Sequence, residues 1–158
     1  MRSWFLVLAL SLAACTPPAT APRTGTMPDL DAAFAFDTLT VINDRGEELE
    51  FDVYLATEFE QQRRGLMFVR DMPERTGMLF VYDSEETRSM WMKNTYIPLD
   101  MVFARADGSV VNVVTDTVPQ TLKSHRSTGP ARYVLELNAG TARRLGIGTG
   151  SRLVVEDR

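Results

Sequence analysis

The residues best suited to chemistry lie in one run, Met90-Trp91-Met92-Lys93-Asn94-Thr95-Tyr96-Ile97-Pro98-Leu99-Asp100-Met101. If residues 89–93 are a strand, its pleat puts Trp91 and Lys93 on one face and Met90 and Met92 on the other. Trp91 offers a stacking platform, Lys93 a movable cation, Asn94 a donor and an acceptor, and Asp100 a carboxylate across the loop. Arg64 can add charge, and Glu136 can orient polar groups. This set suits a non-catalytic site for a small polar or anionic ligand, or for a protein partner, because concave sites need only a few placed polar groups. An ordinary structural role fits the same residues. Trp91 would then be core, Lys93 would pair with Asp100 or Glu136, and Asn94 and Pro98 would shape a turn.

Two other chemistries draw on overlapping residues. Thioethers are soft ligands for Cu(I), and Met90 and Met92 would sit on one strand face near an aromatic ring, with Met67, Met78 and Met101 elsewhere in the chain. Methionine is also a normal gap-filler of cores, and His125 is the single histidine. Asp100 and Glu136 could meet across neighbouring strands as the acid and base of a small hydrolase, although a chain with 21 acidic residues offers such pairs by chance. The sequence contains no G-x-S-x-G, C-x-x-C or H-E-x-x-H. Gly146-Ile147-Gly148-Thr149-Gly150 lacks nucleotide-binding spacing and leads into a strand, so its glycines read as turn residues. No cofactor is called for.

The N-terminus speaks to location. Arg2 precedes an apolar run from Trp4 to Ala14, which has the form of a secretory signal peptide and falls short of the roughly 20 residues of a membrane-spanning helix. Leu12-Ala13-Ala14-Cys15 resembles a bacterial lipobox. That resemblance implies cleavage after residue 14 and acylation of Cys15, the chain's one cysteine, which would anchor the protein to a membrane facing the periplasm. Thr16, where an Asp would resemble an inner-membrane retention signal, leans the expectation towards the outer membrane. The other reading is a plain signal peptide that leaves Cys15 as a free thiol. Residues 15–33 read as the lipidated cysteine and a tether, with four prolines between Thr16 and Pro28 and little apolar surface to offset ordering entropy. Loss of residues 1–14 removes Arg2, leaving 16 basic and 21 acidic side chains, a formal charge of −5. Such a chain is repelled by phosphate backbones, so nucleic acid is not expected as a partner.

Residues 34–158 are expected to form one mainly β domain, a sandwich or barrel of about eight strands with two short helices. Period-two alternation marks a strand at 49–55, joined to 39–42 by the turn Asn43-Asp44-Arg45-Gly46. Further strands are expected at 77–82, 88–93, 100–106, 110–114, 133–137 and 152–156, with Asp107-Gly108 as a hairpin turn. A capping box with Thr57 as N-cap and Glu60 at N3 would open a helix that Gly65 ends, and Asn138 would cap a second helix over 139–145.

The ordered motifs Arg64-Gly65-Leu66-Met67-Phe68, Gly77-Met78-Leu79-Phe80, Met90-Trp91-Met92-Lys93-Asn94-Thr95, Ile97-Pro98-Leu99-Asp100-Met101 and Tyr133-Val134-Leu135-Glu136-Leu137-Asn138-Ala139-Gly140 resemble the uncharacterised family called domain of unknown function 192, over roughly residues 38–156. The resemblance implies a compact, mainly β fold, often exported or lipid-anchored, with no established activity. Some members carry a cysteine near the position of Lys123 and Ser124. This chain does not, so thiol chemistry does not transfer.

Overall fold

The computed structural model describes residues 27–155, and strands organise it. β1 (Ala35–Ile42) and β2 (Glu48–Ala56) form the expected hairpin. Asn43 shapes its turn: Oδ1 accepts from the Arg45 and Glu47 amides, each at 2.9 Å. α2 (Phe59–Arg64) then carries the chain to β3 (Thr76–Met90), which lies parallel to β2. One strand–helix–strand crossover is therefore set in an otherwise antiparallel sheet. β4 (Leu99–Ala104) and β5 (Val110–Val114) form the second expected hairpin, and β6 (His125–Asn138), α3 (Thr141–Leu145) and β7 (Arg152–Val154) follow.

The strands hydrogen-bond in the order β5-β4-β6-β3-β2-β1-β7. The two edges of this sheet come together: Val110 N donates to Ser151 O at 3.0 Å and Leu153 N to Gly108 O at 2.9 Å. A nearly closed barrel results, which leaves little exposed strand edge. Gly108 permits the seam, because its φ is 82° and a Cβ there would collide with the Leu153 carbonyl.

Seven strands replace the expected eight because residues 77–82 and 88–93 belong largely to one strand. The polar segment 83–87 reads as a break, yet β3 continues through it as an exposed bulge: Val81 pairs with Tyr133, and pairing resumes at Glu86 with Ala131. Lys93 falls outside the strand. α2 begins one residue later than expected, with Glu58 as N-cap and Gln61 at N3, while Gly65 ends it as the sequence suggests. α3 starts at Thr141 with Gly140 (φ 81°) as N-cap, since Asn138 still belongs to β6 and donates its side-chain amide to the Met72 carbonyl at 2.8 Å. A third helix, α1 (Pro28–Asp31), lies within the segment read as tether and is followed by Phe34; Leu30 and Phe34 are both buried.

The pleat divides the apolar residues between two cores. Leu39, Val41, Phe51, Leu79, Val102 and Leu135 fill the barrel. Tyr54, Met78, Phe80, Met101, Phe103 and Val134 point to the other face, where α1, the segment after α2 and the loop after β3 cover them with Leu30, Leu66, Met72 and Met92. Each large apolar side chain so buried contributes about 1.5–3 kcal/mol. The outer layer holds the candidate site.

Candidate functional site

Glu136 sits on the outer face of β6, with Met78 of β3 and Met101 of β4 as its register partners on either side. The sequence alternation places it opposite Leu135, where solvent is the usual neighbour. The covering layer changes that, and Glu136 is only 4% exposed. No hydrogen bond reaches its carboxyl among the described residues. Burial pushes its pKa up to about 8, so at neutral pH it is mainly a neutral acid with one O–H to donate.

Above Glu136 lies a cleft of about 260 Å³, walled by Leu66, Phe80, Tyr82 and Met90 and bounded by Arg64 and Lys93. Gly65 allows the wall to close in, because its Cα lies where a Cβ would come 3.1 Å from the Phe80 ring. Tyr82 donates its O–H to Met90 Sδ at 3.6 Å. Burial raises the Tyr82 pKa to about 12, against the lowering effect of Arg88 and with a further rise from Glu136. An adjoining recess shares Arg63, Arg64, Met67, Trp91 and Lys93 and adds Asn94 and Phe68.

Two loops frame the mouth. The Phe68 amide donates to Asn94 O at 2.8 Å, and Asn94 Nδ2 to Met67 Sδ at 3.8 Å. Both Phe68 (φ 69°) and Asn94 (φ 57°) adopt left-handed backbone, which suits Asn and strains Phe. Trp91 is 48% exposed, not core, and Lys93 Nζ lies 5.4 Å from its ring centroid. Lys93 makes no ion pair among the described residues. Arg64 donates to Asp29 O at 3.1 Å and lies over Phe34, whereas Arg63 is held by Glu60 at 2.7 Å.

Arg64, Trp91, Lys93 and Glu136 are thus brought around one cleft, with Asn94 in the recess beside it. Asp100 is not. Fully buried, it faces the barrel side with Leu137 as register partner, and its carboxylate accepts from Ala142 N at 2.8 Å and Asp116 N at 3.0 Å. Those bonds cap α3 and pin the loop after β5. Because Asp100 and Glu136 project from opposite faces of the sheet, they cannot serve one substrate as acid and base, and the hydrolase pairing fails on geometry. Sequence reasoning also missed Tyr82, which carried no signal beyond membership of an apolar run.

Met90 and Met92 do share a side, both in the outer core. Their sulfurs accept from Tyr82 and, at 3.2 Å, from Thr117 Oγ1, as thioethers packed in a core do. His125 pairs with Met90 across β3 and β6; its Nε2 is buried without a partner, and burial, then Lys123, hold its pKa low. Among the described residues no three His, Cys, Asp or Glu side chains gather as metal ligands, and no helix is long and apolar enough to cross a membrane. A separate opening of about 340 Å³ at the barrel end is lined by Leu39, Val53, Leu79 and Tyr133 and reaches Val155, the last described residue.

No curated protein matches this chain. Among solved structures, a Sinorhizobium meliloti 1021 protein proposed to be a transcription regulator is 41% identical, with a TM-score of 0.74 over 76% of this chain and 93% of that one. A protein of unknown function from Novosphingobium aromaticivorans DSM 12444 is 33% identical, with a TM-score of 0.73 over 84% of this chain and all of that one. Residues 40–155, the strand-built unit that frames the cleft, match the domain of unknown function 192, described as an uncharacterized ACR, and the chain belongs to that family.

Proposed function

We propose that this protein is an exported binding domain, held to a membrane facing the periplasm, and most simply the outer membrane, through acylated Cys15, and that its cleft takes a small anionic ligand with an apolar body. Glu136 carries the reading. Its carboxyl lines the cleft with no protein hydrogen-bond partner among the described residues, so a ligand acceptor placed at its O–H would complete a hydrogen bond there. Trp91 supplies a face for the apolar body, Lys93 and Arg64 supply charge at the mouth, and Asn94 orients polar groups. The site is non-catalytic in this reading: Asp100, the carboxyl that could have paired with Glu136 as acid and base, lies on the opposite face of the sheet.

A net-acidic chain disfavours contact with a phosphate backbone, so the regulatory role proposed for the Sinorhizobium protein is not carried over. Thermal shift on the chain from residue 15, with Cys15→Ser, tests the site. Benzoate or phenyl phosphate is expected to raise the Tm of this protein and to raise that of its Lys93→Ala variant much less, by mass action on the native state. Equal shifts in both would refute the assignment. Mass spectrometry of the processed protein tests the anchor: an unmodified Cys15 thiol or a retained leader would end that part of the proposal.

A further inference from the structure

We propose that the face bearing the cleft is a membrane-docking surface that rests on the anionic phospholipid headgroups of the bilayer, so that the cleft opens onto the lipid interface. The proposal builds on the reading of Cys15 as the anchor. Three observations converge on it.

The first is where exposed apolar side chains gather. Phe59 (75% exposed), Phe68 (59%) and Trp91 line the cleft or its recess. Val118 and Leu122, also exposed, lie on a segment bonded to the same loop, since Met92 N donates to Thr121 O and Gln120 N to Thr95 O, both at 3.1 Å. Of the large exposed hydrophobics among the described residues, only Val154 lies elsewhere, on β7. Aromatic rings projecting from linked loops suit the headgroup layer, where an apolar ring with a polar edge is at home.

The second is charge. Arg63, Arg64, Arg70 and Lys93 border the cleft and its recesses, and Lys123 follows Leu122. Of the nearby acids, Glu60 is paired with Arg63 and Asp116 with Arg143, which leaves Asp29 and Asp71 in the recess against Arg64, Arg70, Lys93 and Lys123. The chain as a whole is acidic, so the basic residues here make this face locally complementary to anionic headgroups.

The third is where the chain arrives. Met27, the first described residue, borders the same recess as Phe68 and Arg70, and Asp29 O accepts from Arg64. The N-terminal segment therefore joins the domain at the rim of this surface. Eleven residues lie between Cys15 and Met27, twelve Cα-to-Cα steps with a contour of at most about 43 Å. A chain fixed to the bilayer at Cys15 and joined to the domain here keeps the rim of this face within that reach of the membrane.

The chain from residue 15 with Cys15→Ser keeps all the described residues and has Trp91 as its one tryptophan. Its emission and co-sedimentation are measured with vesicles of phosphatidylcholine alone and of phosphatidylcholine mixed with phosphatidylglycerol. The expected result is a blue shift of Trp91 with the mixed vesicles, weakened by salt. Phe68→Asp should reduce the vesicle partition coefficient roughly tenfold or more, since it removes an apolar ring and adds a repelled charge. Aspartate tolerates left-handed backbone, so the fold should survive. Val154→Asp should bind as the parent does. No Trp91 shift with either vesicle would overturn the proposal and leave the aromatic rim as a face for a protein partner; an equal loss in Val154→Asp would overturn it as well. Because thermal shift with benzoate is read without vesicles, failure here and failure of the ligand site are separable.

Discussion

Replacing Glu136 with glutamine should change the pH dependence of stability in a calculable way. In the unfolded chain the carboxyl ionises near 4.5, and in the folded chain near 8, because burial disfavours the anion. Between those values the native state holds a proton that the unfolded state has released. Wild-type stability is therefore undiminished below about pH 4.5, falls as pH rises, and levels off above about 8. The displacement corresponds to roughly 5 kcal/mol in all, with about 3 kcal/mol of it already lost at pH 7. Glutamine has no proton to lose. Its own desolvation offsets the curve by a constant, so the difference between the two proteins isolates the residue, and groups such as His125 cancel. Urea denaturation of wild type and Glu136→Gln from about pH 5 to 9 measures this difference; equal m-values would show that the unfolded states match. The variant should gain on the wild type by about 1.4 kcal/mol per pH unit through the middle of the range. Parallel curves across the range would refute the reasoning, since they would mean that the carboxyl is already solvated or paired in the native protein.

Other expectations follow from single contacts. Asp100→Asn should cost about 1.5–3 kcal/mol in chemical denaturation, because its carboxylate accepts two backbone N–H bonds and an amide can accept only one of them while turning its own donors towards the other; an unchanged midpoint would show that α3 is not held by this group. Gly108→Ala should destabilise by more than about 1 kcal/mol, as alanine meets both a left-handed backbone and the Leu153 carbonyl at the barrel seam, and a variant as stable as the parent would show that the seam can open. Lys93→Ala should leave stability within about 0.5 kcal/mol, because the side chain is exposed, lies over the Trp91 ring and makes no ion pair among the described residues, and a larger loss would place Lys93 in the structure instead of the site.

The strands were legible where one face meets the barrel interior and the other does not. Residues 49–55 alternate cleanly, and Asn43 to Gly46 and Asp107-Gly108 carry turn chemistry that works locally. β3 was not legible as a unit, because its exposed bulge is as polar as a loop and only pairing with β6 shows that the strand continues. The same limit governs the site. Trp91, Lys93 and Asn94 are close in sequence, so their gathering could be read directly; Arg64 and Glu136 join them only through the covering layer. Glu136 looks solvated by alternation alone, since nothing local reports that α1, the segment after α2 and the loop after β3 will cover that face of the sheet. Asp100 looks available for the converse reason: its partners, the amides of Asp116 and Ala142, lie 16 and 42 residues away.

That covering layer gives Glu136 a price in stability that a more ordinary residue would avoid. Its neighbours in the row across β3, β6 and β4 are Met78 and Met101, so methionine at 136 would extend an apolar row with an unbranched side chain able to fit the existing space. Glu136→Met removes an acid whose raised ionisation costs the wild type about 3 kcal/mol at pH 7, and adds apolar burial. The variant should therefore be more stable than the wild type at pH 7 by about 2–4 kcal/mol, while its Tm should no longer respond to benzoate. Opposite signs in stability and binding are the mark of a residue retained for a site at the expense of the fold. If the variant instead loses stability, Glu136 is satisfied within the native protein, and the cleft has no unfilled hydrogen bond for a ligand to complete.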